Sequence, residues 1–260
     1  MPADRRPLTA RSVVASTLLG VQPPRLPTRI LVQSGELFGI AEGTTRVALS
    51  RMVAQGELRP DGDGYRLAGR LLDRQARQSA SRRAETEGWD GTWELALVRS
   101  GRARRPADRA ALRQALSSLR LSELREGVWL RPANLPAGRA PAARAVAAGQ
   151  CLWVAHAGLD PAPDPAELWD LAGWAAEARS MREELSGLLP RLTAGDTGAL
   201  GVGFVTSAAA LRLLQHDPLL PSELRPDRWP GDALRRDYDR YDAAYRAVWT
   251  TWFRRQRDGG

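Results

Sequence analysis

The stretch that most constrains the fold is residues 9–69, where three short amphipathic runs each meet a helix stop before a pair of Asp-Gly turn signals. TARSVVASTLLG (9–20) has Thr9 placed to cap an apolar run and Gly20 placed to end it. VQPPRLP makes a rigid connection, and TRILVQSGELF (28–38) reads as a second helix with Thr28 as its cap. GIAEG turns the chain into residues 43–55, a third helix ended by Gly56. LRPDGDGYRLAG (58–69) supplies two extended arms around Asp-Gly turns, the pattern of a β-hairpin. Three helices and a hairpin in this order are the layout of a winged helix-turn-helix.

The third helix has two faces. At about 100° per residue, Thr45, Ala48, Leu49, Met52 and Val53 gather on one side, expected to pack on the first two helices. Val47, Ser50 and Ala54 occupy the other, flanked by Arg46 and Arg51. Small side chains let a backbone approach base edges, and arginine forks suit guanine and phosphate. Thr44, at the helix start, is placed to donate to a phosphate beside the free N–H groups there. The candidate DNA-binding residues are therefore Thr44, Thr45, Arg46, Ser50 and Arg51 on the helix, with Arg59 and Arg66 on the hairpin. The competing reading is an ordinary exposed helix face with solvated arginines; the flanking helix and hairpin favour DNA.

Charge points the same way. The net charge is +8, and all 38 basic residues are arginine. Residues 1–83 hold 14 arginines against 7 acidic residues, so nearly all the excess lies in the first third. That asymmetry favours an anionic partner such as double-stranded DNA. One cysteine and two histidines exclude an internal disulfide and argue against a zinc site of several Cys/His ligands, so no metal or cofactor is expected. No apolar run approaches the length of a membrane span and the N-terminus lacks a signal-like stretch; a cytoplasmic protein with no membrane partner is expected.

None of the nine tryptophans lies in the first 88 residues, which suggests a small N-terminal module joined to an aromatic-rich remainder. The polar, arginine-rich segment 73–88 reads as a solvated connecting helix or linker. Strand-like 89–98, helical 107–119, strand-like 126–132, a short helix at 140–148 and strand-like 150–157 suggest a ferredoxin-like α/β sandwich. Residues 167–190, 198–218 and 232–256 read as three helices, the second broken near Gly201 and Gly203. The expected fold class is multidomain α+β. The expected domains are a winged helix at 1–70, a connector at 71–88, a central ferredoxin-like (Cas2-like) domain at 89–158 and a helical domain at 165–260. Tyr238, Tyr241, Tyr245, Trp249 and Trp252 form a helical stripe, either core or a dimer seam, with core favoured.

The motifs TARSVVASTLLG, GELFGIAEGTTRVALSRMVAQGEL, WDGTWELALV, LREGVWLRP and HDPLLPSELRPDRWPGDA together resemble the PaaX family of bacterial transcriptional regulators, along nearly the whole chain. The resemblance implies an N-terminal winged helix, a central Cas2-like domain, a C-terminal helical domain and a homodimeric repressor released from DNA by an acyl-CoA-type effector. It departs from the family pattern at Glu57, where tryptophan is frequent, and at the hairpin PDGDGYRL, whose two aspartates imply a weakly basic wing. Candidate effector-binding residues are Trp89, Trp93, Trp129 and Trp229, lining an apolar cleft, with Arg212 and His216 facing an anionic group. Asp90, Asp217 and His216 raise a nuclease-like alternative through the central domain. Asp90 and Asp217 sit in turn contexts, however, so no catalytic residue and no enzyme is expected. A ligand-binding protein that has lost DNA binding is the other alternative.

Overall fold

The computed structural model describes residues 8–99 and 105–258. Helix α1 (Ala10–Leu19) leads to strand β1 (Arg25–Pro27), α2 (Thr28–Leu37), α3 (Glu42–Ala54), β2 (Leu58–Asp61), β3 (Gly64–Leu67) and α4 (Gly69–Arg83). Then come β4 (Trp93–Val98), α5 (Pro106–Ser118), β5 (Ser122–Arg125), β6 (Val128–Pro132), α6 (Pro141–Ala148) and β7 (Cys151–Ala157). The remainder is helical: α7 (Pro165–Leu168), α8 (Leu171–Thr193), α9 (Leu200–His216) and α10 (Gly231–Asp258). Two compact units result. One holds the chain up to Ser79 with Arg182–Leu211 and Arg236 onward; the other holds Ala80–Met181 and Arg212–Arg235.

In the first unit the sequence signals act locally. Thr9 caps α1 in a reciprocal capping box with Ser12 (Ser12 N to Thr9 Oγ1 3.1 Å, Thr9 N to Ser12 Oγ 2.9 Å). Past α3, Gly56 at φ +67° donates to Val53 O, and Glu57 N reaches back to Met52 O (each 2.9 Å), a Schellman closure. Thr28 does not cap α2 as expected: Pro27 holds the cap position, and Thr28 donates from both its backbone N (3.1 Å) and its hydroxyl (2.7 Å) to Asp63 O. The start of α2 is thereby tied to the β2–β3 turn. Helices α2 and α3 approach closely because position 35 is glycine; a Cβ there would collide with the Thr45 hydroxyl.

The hairpin gains a strand that the proline-rich connection conceals. Residues 25–27 pair antiparallel with β3, giving the order β1-β3-β2. Alternation along β2 and β3 turns Leu58, Leu67 and Tyr65 toward a core made with Val14, Leu18, Leu31, Leu49 and Met52. Burying each large aliphatic contributes about 1.5–3 kcal/mol. The polar stretch is a helix rather than a linker; α4 begins earlier than that stretch implied and is solvated on one side only. Leu71 joins the same core, and buried Gln75 donates to Leu19 O (3.1 Å) and Val21 O (3.2 Å) past the end of α1.

The same unit contains the aromatic stripe. Tyr238, Tyr241, Tyr245 and Trp249 are buried. Tyr241 donates to Gly203 O (2.6 Å), Tyr245 to Leu200 O (3.2 Å), and Tyr238 shares a hydrogen bond with Ser207 (3.0 Å). Burial pushes both the Tyr241 and Tyr245 hydroxyls above their ordinary range. Helix α9 is continuous, not broken: Gly203 is where the tyrosines press closest, since a Cβ there would lie 2.8 Å from Tyr241 Oη. The segment Thr197–His216 is long and apolar enough to cross a membrane by length and composition alone.

The second unit is a four-stranded antiparallel sheet of order β5-β6-β4-β7, with α5 and α6 covering one face through Leu112, Leu116, Leu119 and Ala147. The element order β-α-β-β-α-β includes β5, which the sequence reading lacked. The expected helix 167–190 is two pieces, because Asp170 accepts from Gly173 N (2.8 Å) and restarts the chain as α8.

One ionic contact joins several pieces of the first unit. The Glu57 carboxylate is fully buried and accepts a two-pronged bond from Arg11 of α1 (Nε to Oε2 2.9 Å, Nη2 to Oε1 2.5 Å). It also accepts Arg70 of α4 through Nε (2.7 Å) and Nη2. Arg11 above all, then Arg70, hold its carboxyl below the usual range against the opposing effect of burial. A depressed folded-state value means this stability is present above the ordinary carboxyl range and is lost as pH falls through the folded value. Glu57→Gln is expected to lower unfolding free energy at pH 7 by roughly 1–3 kcal/mol and to flatten the decline below about pH 4. Urea titrations at both pH values measure this; an unchanged acid limb would contradict it.

Candidate nucleic-acid interface

Helix α3 presents the two faces its spacing requires. Leu49 and Met52 are buried in the core, while Thr44, Arg46, Val47, Ser50, Arg51 and Ala54 are exposed. Val47 is 50% exposed, unusual for an aliphatic at mid-helix and suited to a thymine methyl. Arg46 is held by Glu42 one turn earlier (Nε to Oε1 2.7 Å), an exposed pair of little stability that a phosphate can displace. Arg51 makes no ion pair among the described residues. No side chain caps the start of α3, so its first-turn N–H groups remain available beside Thr44. Thr45 is a correction: it is fully buried, its side chain lies against Gly35, and its hydroxyl has no hydrogen-bond partner among the described residues. It belongs to the packing face and cannot reach DNA.

The sheet adds a feature that no single segment displays. Arg66 on β3 stands directly opposite Arg25 on β1 and Arg59 on β2, so three exposed guanidiniums form one row across the outer face. Arg25 is paired with Asp61 (3.4 Å), whereas Arg59 and Arg66 make no ion pair among the described residues. Like charges placed opposite each other across strands are unfavourable. A row of arginines is the arrangement that a polyanion would relieve. Arg25 was missed because its strand exists only through pairing with β3. Arg25 pairs with Asp61, one of the two aspartates of the hairpin, and lengthens the row.

The remaining candidates lie in the second unit. Trp89 and Trp93 meet edge to face (6.3 Å), and Trp229 stacks on Trp174 (4.7 Å, 15°). Trp93 is buried, and so is Trp129; Trp129 opposes Ala96 on the helix-covered face, whereas strand alternation puts Trp93 on the other. These two rings cannot line one cleft, which corrects that expectation. Arg113 lies over the Trp129 ring (5.6 Å). Arg212 and His216 are both exposed, and the imidazole Nδ1 is within 2.8 Å of Arg212 O. Asp90 accepts from the backbone N (3.0 Å) and hydroxyl (2.5 Å) of Thr92, which hold its carboxyl below the usual range. Asp217 is buried, accepts from Leu219 N (3.0 Å) and pairs with Arg235 (2.8 Å). Both acids serve the turns that contain them.

Three family models match the chain in succession: PaaX-like protein over residues 9–71, PaaX protein central Cas2-like domain over 86–168, and PaaX-like protein C-terminal domain over 169–256. The chain belongs to the PaaX family. It is also similar to the solved structure of the uncharacterized protein Rv0674 from Mycobacterium tuberculosis, at 39% identity over 94% of this chain and 98% of that one, with a TM-score of 0.65. No curated protein matches it. PaaX-family members are transcriptional regulators rather than enzymes. Within this PaaX-like chain, Glu57 is the buried acceptor for Arg11 and Arg70.

The charge row makes a prediction about the DNA-free protein. Arg66→Gln should leave stability unchanged or raise it by up to about 1 kcal/mol at low salt, and the gain should shrink as salt screens the row. Thermal unfolding at two ionic strengths checks this. A clear loss of stability at low salt would make the row a structural device.

Proposed function

We propose that this protein is a sequence-specific DNA-binding transcriptional regulator, a dimeric, ligand-responsive repressor working in the cytoplasm. The three-helix and three-strand arrangement of residues 9–67 acts as a winged helix-turn-helix, with α3 entering the major groove and the sheet as the wing. In this reading Thr44, Arg46, Ser50 and Arg51 contact DNA from the helix, and Arg59 and Arg66, joined by Arg25, contact it from the wing. Residues 1–70 serve as the winged helix, with Leu71 and Gln75 of α4 packed into it, residues 89–158 serve as the ferredoxin-like domain, and the helices of 165–260 are shared between the two units. An acyl-CoA-type effector, inferred from the family, would shift the two winged helices of a homodimer and so change affinity for a partly palindromic operator.

The observation that carries the reading is a bare, small-residue helix face flanked by arginines next to a row of exposed arginines with too few acidic partners. A basic surface of this kind is unfavourable in isolation and favourable against phosphate. Retardation of DNA from upstream of the protein's own gene tests it. Arg51→Ala should weaken specific binding by roughly 1–3 kcal/mol while leaving the fold intact, and Arg46→Ala should do the same once its bond to Glu42 is discounted. Absence of retardation at low salt, or wild-type affinity in both variants, would overturn the assignment.

A further inference from the structure

A second concentration of arginine lies in the second unit, and it is buried. Arg120, in the turn after α5, and Arg235, in the first turn of α10, are each 8% exposed. Both reach Ser81 near the end of α4: Arg120 Nη2 donates to Ser81 Oγ (3.1 Å) and Arg235 Nε to Ser81 O (3.2 Å). Half-buried Arg139 donates to Ala80 O (3.4 Å) and Glu85 O (3.5 Å) on the solvent side. The counter-charge is small. Asp217 pairs with Arg235 (2.8 Å), and Glu85 is engaged by Arg83 (2.7 Å) at the surface.

The end of α4 gives carbonyls to two of these cations, Arg235 and Arg139, while Arg120 donates to the Ser81 hydroxyl and, at 3.5 Å, to Leu214 O; neutral acceptors of this kind leave three positive charges little offset. Two buried guanidinium nitrogens, Arg120 Nε and Arg235 Nη2, have no hydrogen-bond partner among the described residues. An unpaired buried N–H on a cation is costly. Backbone strain collects at the same place, since Arg120 (φ 68°) and Leu219 (φ 57°) both adopt left-handed conformations. Burial, and then the neighbouring Arg139, pull the Arg120 guanidinium down to about 10.

We propose that Arg120, Arg235 and Arg139 form a binding site for a phosphate-type oxyanion, free or carried on a larger ligand. The anion accepts from Arg120 Nε and Arg235 Nη2, the two atoms of this cluster that have no hydrogen-bond partner among the described residues. Guanidinium forks match tetrahedral oxygens, and a dianion balances three arginines and one aspartate. Bound there, it ties the end of α4, the turn after α5 and the first turn of α10 to one charge. The site uses no residue of α3 or of the β1-β3-β2 sheet, so it stands or falls separately from the DNA reading.

Inorganic phosphate, titrated against chloride at constant ionic strength, is the probe. The thermal midpoint of the full-length protein should rise with saturation in phosphate, because a ligand that binds only the folded state stabilises it. The Arg59→Gln/Arg66→Gln variant should retain that rise. Arg120→Gln should abolish it. If Arg120→Gln fails to fold, Arg139→Gln, whose contacts are long and near the surface, should raise the half-saturating phosphate concentration roughly tenfold. A midpoint that does not respond to phosphate, or a response that Arg139→Gln leaves unchanged, overturns the proposal.

Discussion

The first unit depends on one buried carboxylate. Glu57 follows the glycine that closes α3 and precedes β2, and it accepts arginines from α1 and from α4. A buried acid without partners would be costly. The fork from Arg11 and the second bond from Arg70 turn that cost into a directional clamp. Because its own backbone N binds Met52 O (2.9 Å) and its O accepts Ala68 N (2.8 Å), the end of α3 and the sheet are fixed to the same residue. The exposed face of α3 and the arginine row on the sheet therefore share one frame, which a groove-reading surface requires.

With no lysine in the chain, every cationic contact is a planar fork. The structure uses this in three ways. At Glu57 and at Glu94, which accepts from Arg131 and Arg144, the arginines are matched by buried acid. On the sheet they are exposed and only partly matched. Around Ser81 they are buried and outnumber the acid. The first arrangement carries its own counter-charge, although Arg131 Nε has no hydrogen-bond partner among the described residues; the other two leave positive charge that an anion can offset.

The local part of this was legible in the sequence. Caps and stops placed α1 and the end of α3, and helical spacing separated Leu49 and Met52 from Arg46, Ser50 and Arg51. Thr45 lies on the packing side of that spacing, and Gly35, against which it is buried, belongs to another helix. What escaped notice was non-local. Residues 25–27 contain a proline and become a strand only by pairing with β3. SELR at 122–125 is short and half exposed, so β5 has no hydrophobic signature. Glycine at 203 looked like a helix breaker but serves the approach of Tyr241 and Tyr245. The tryptophans looked like one aromatic cleft, whereas the parity of β4 and β6 separates Trp93 from Trp129. The Arg120–Arg235 cluster joins residues over a hundred positions apart and leaves no local pattern at all.

The central claim is that helix and sheet engage DNA together through arginine. The salt dependence of operator affinity tests it most directly, because each phosphate neutralised adds about 0.9 to the slope of log K against log salt. Replacing Arg59 and Arg66 together by glutamine should lower that slope by about 2 while preserving the preference for operator over unrelated DNA. A slope unchanged in the double variant would contradict the account.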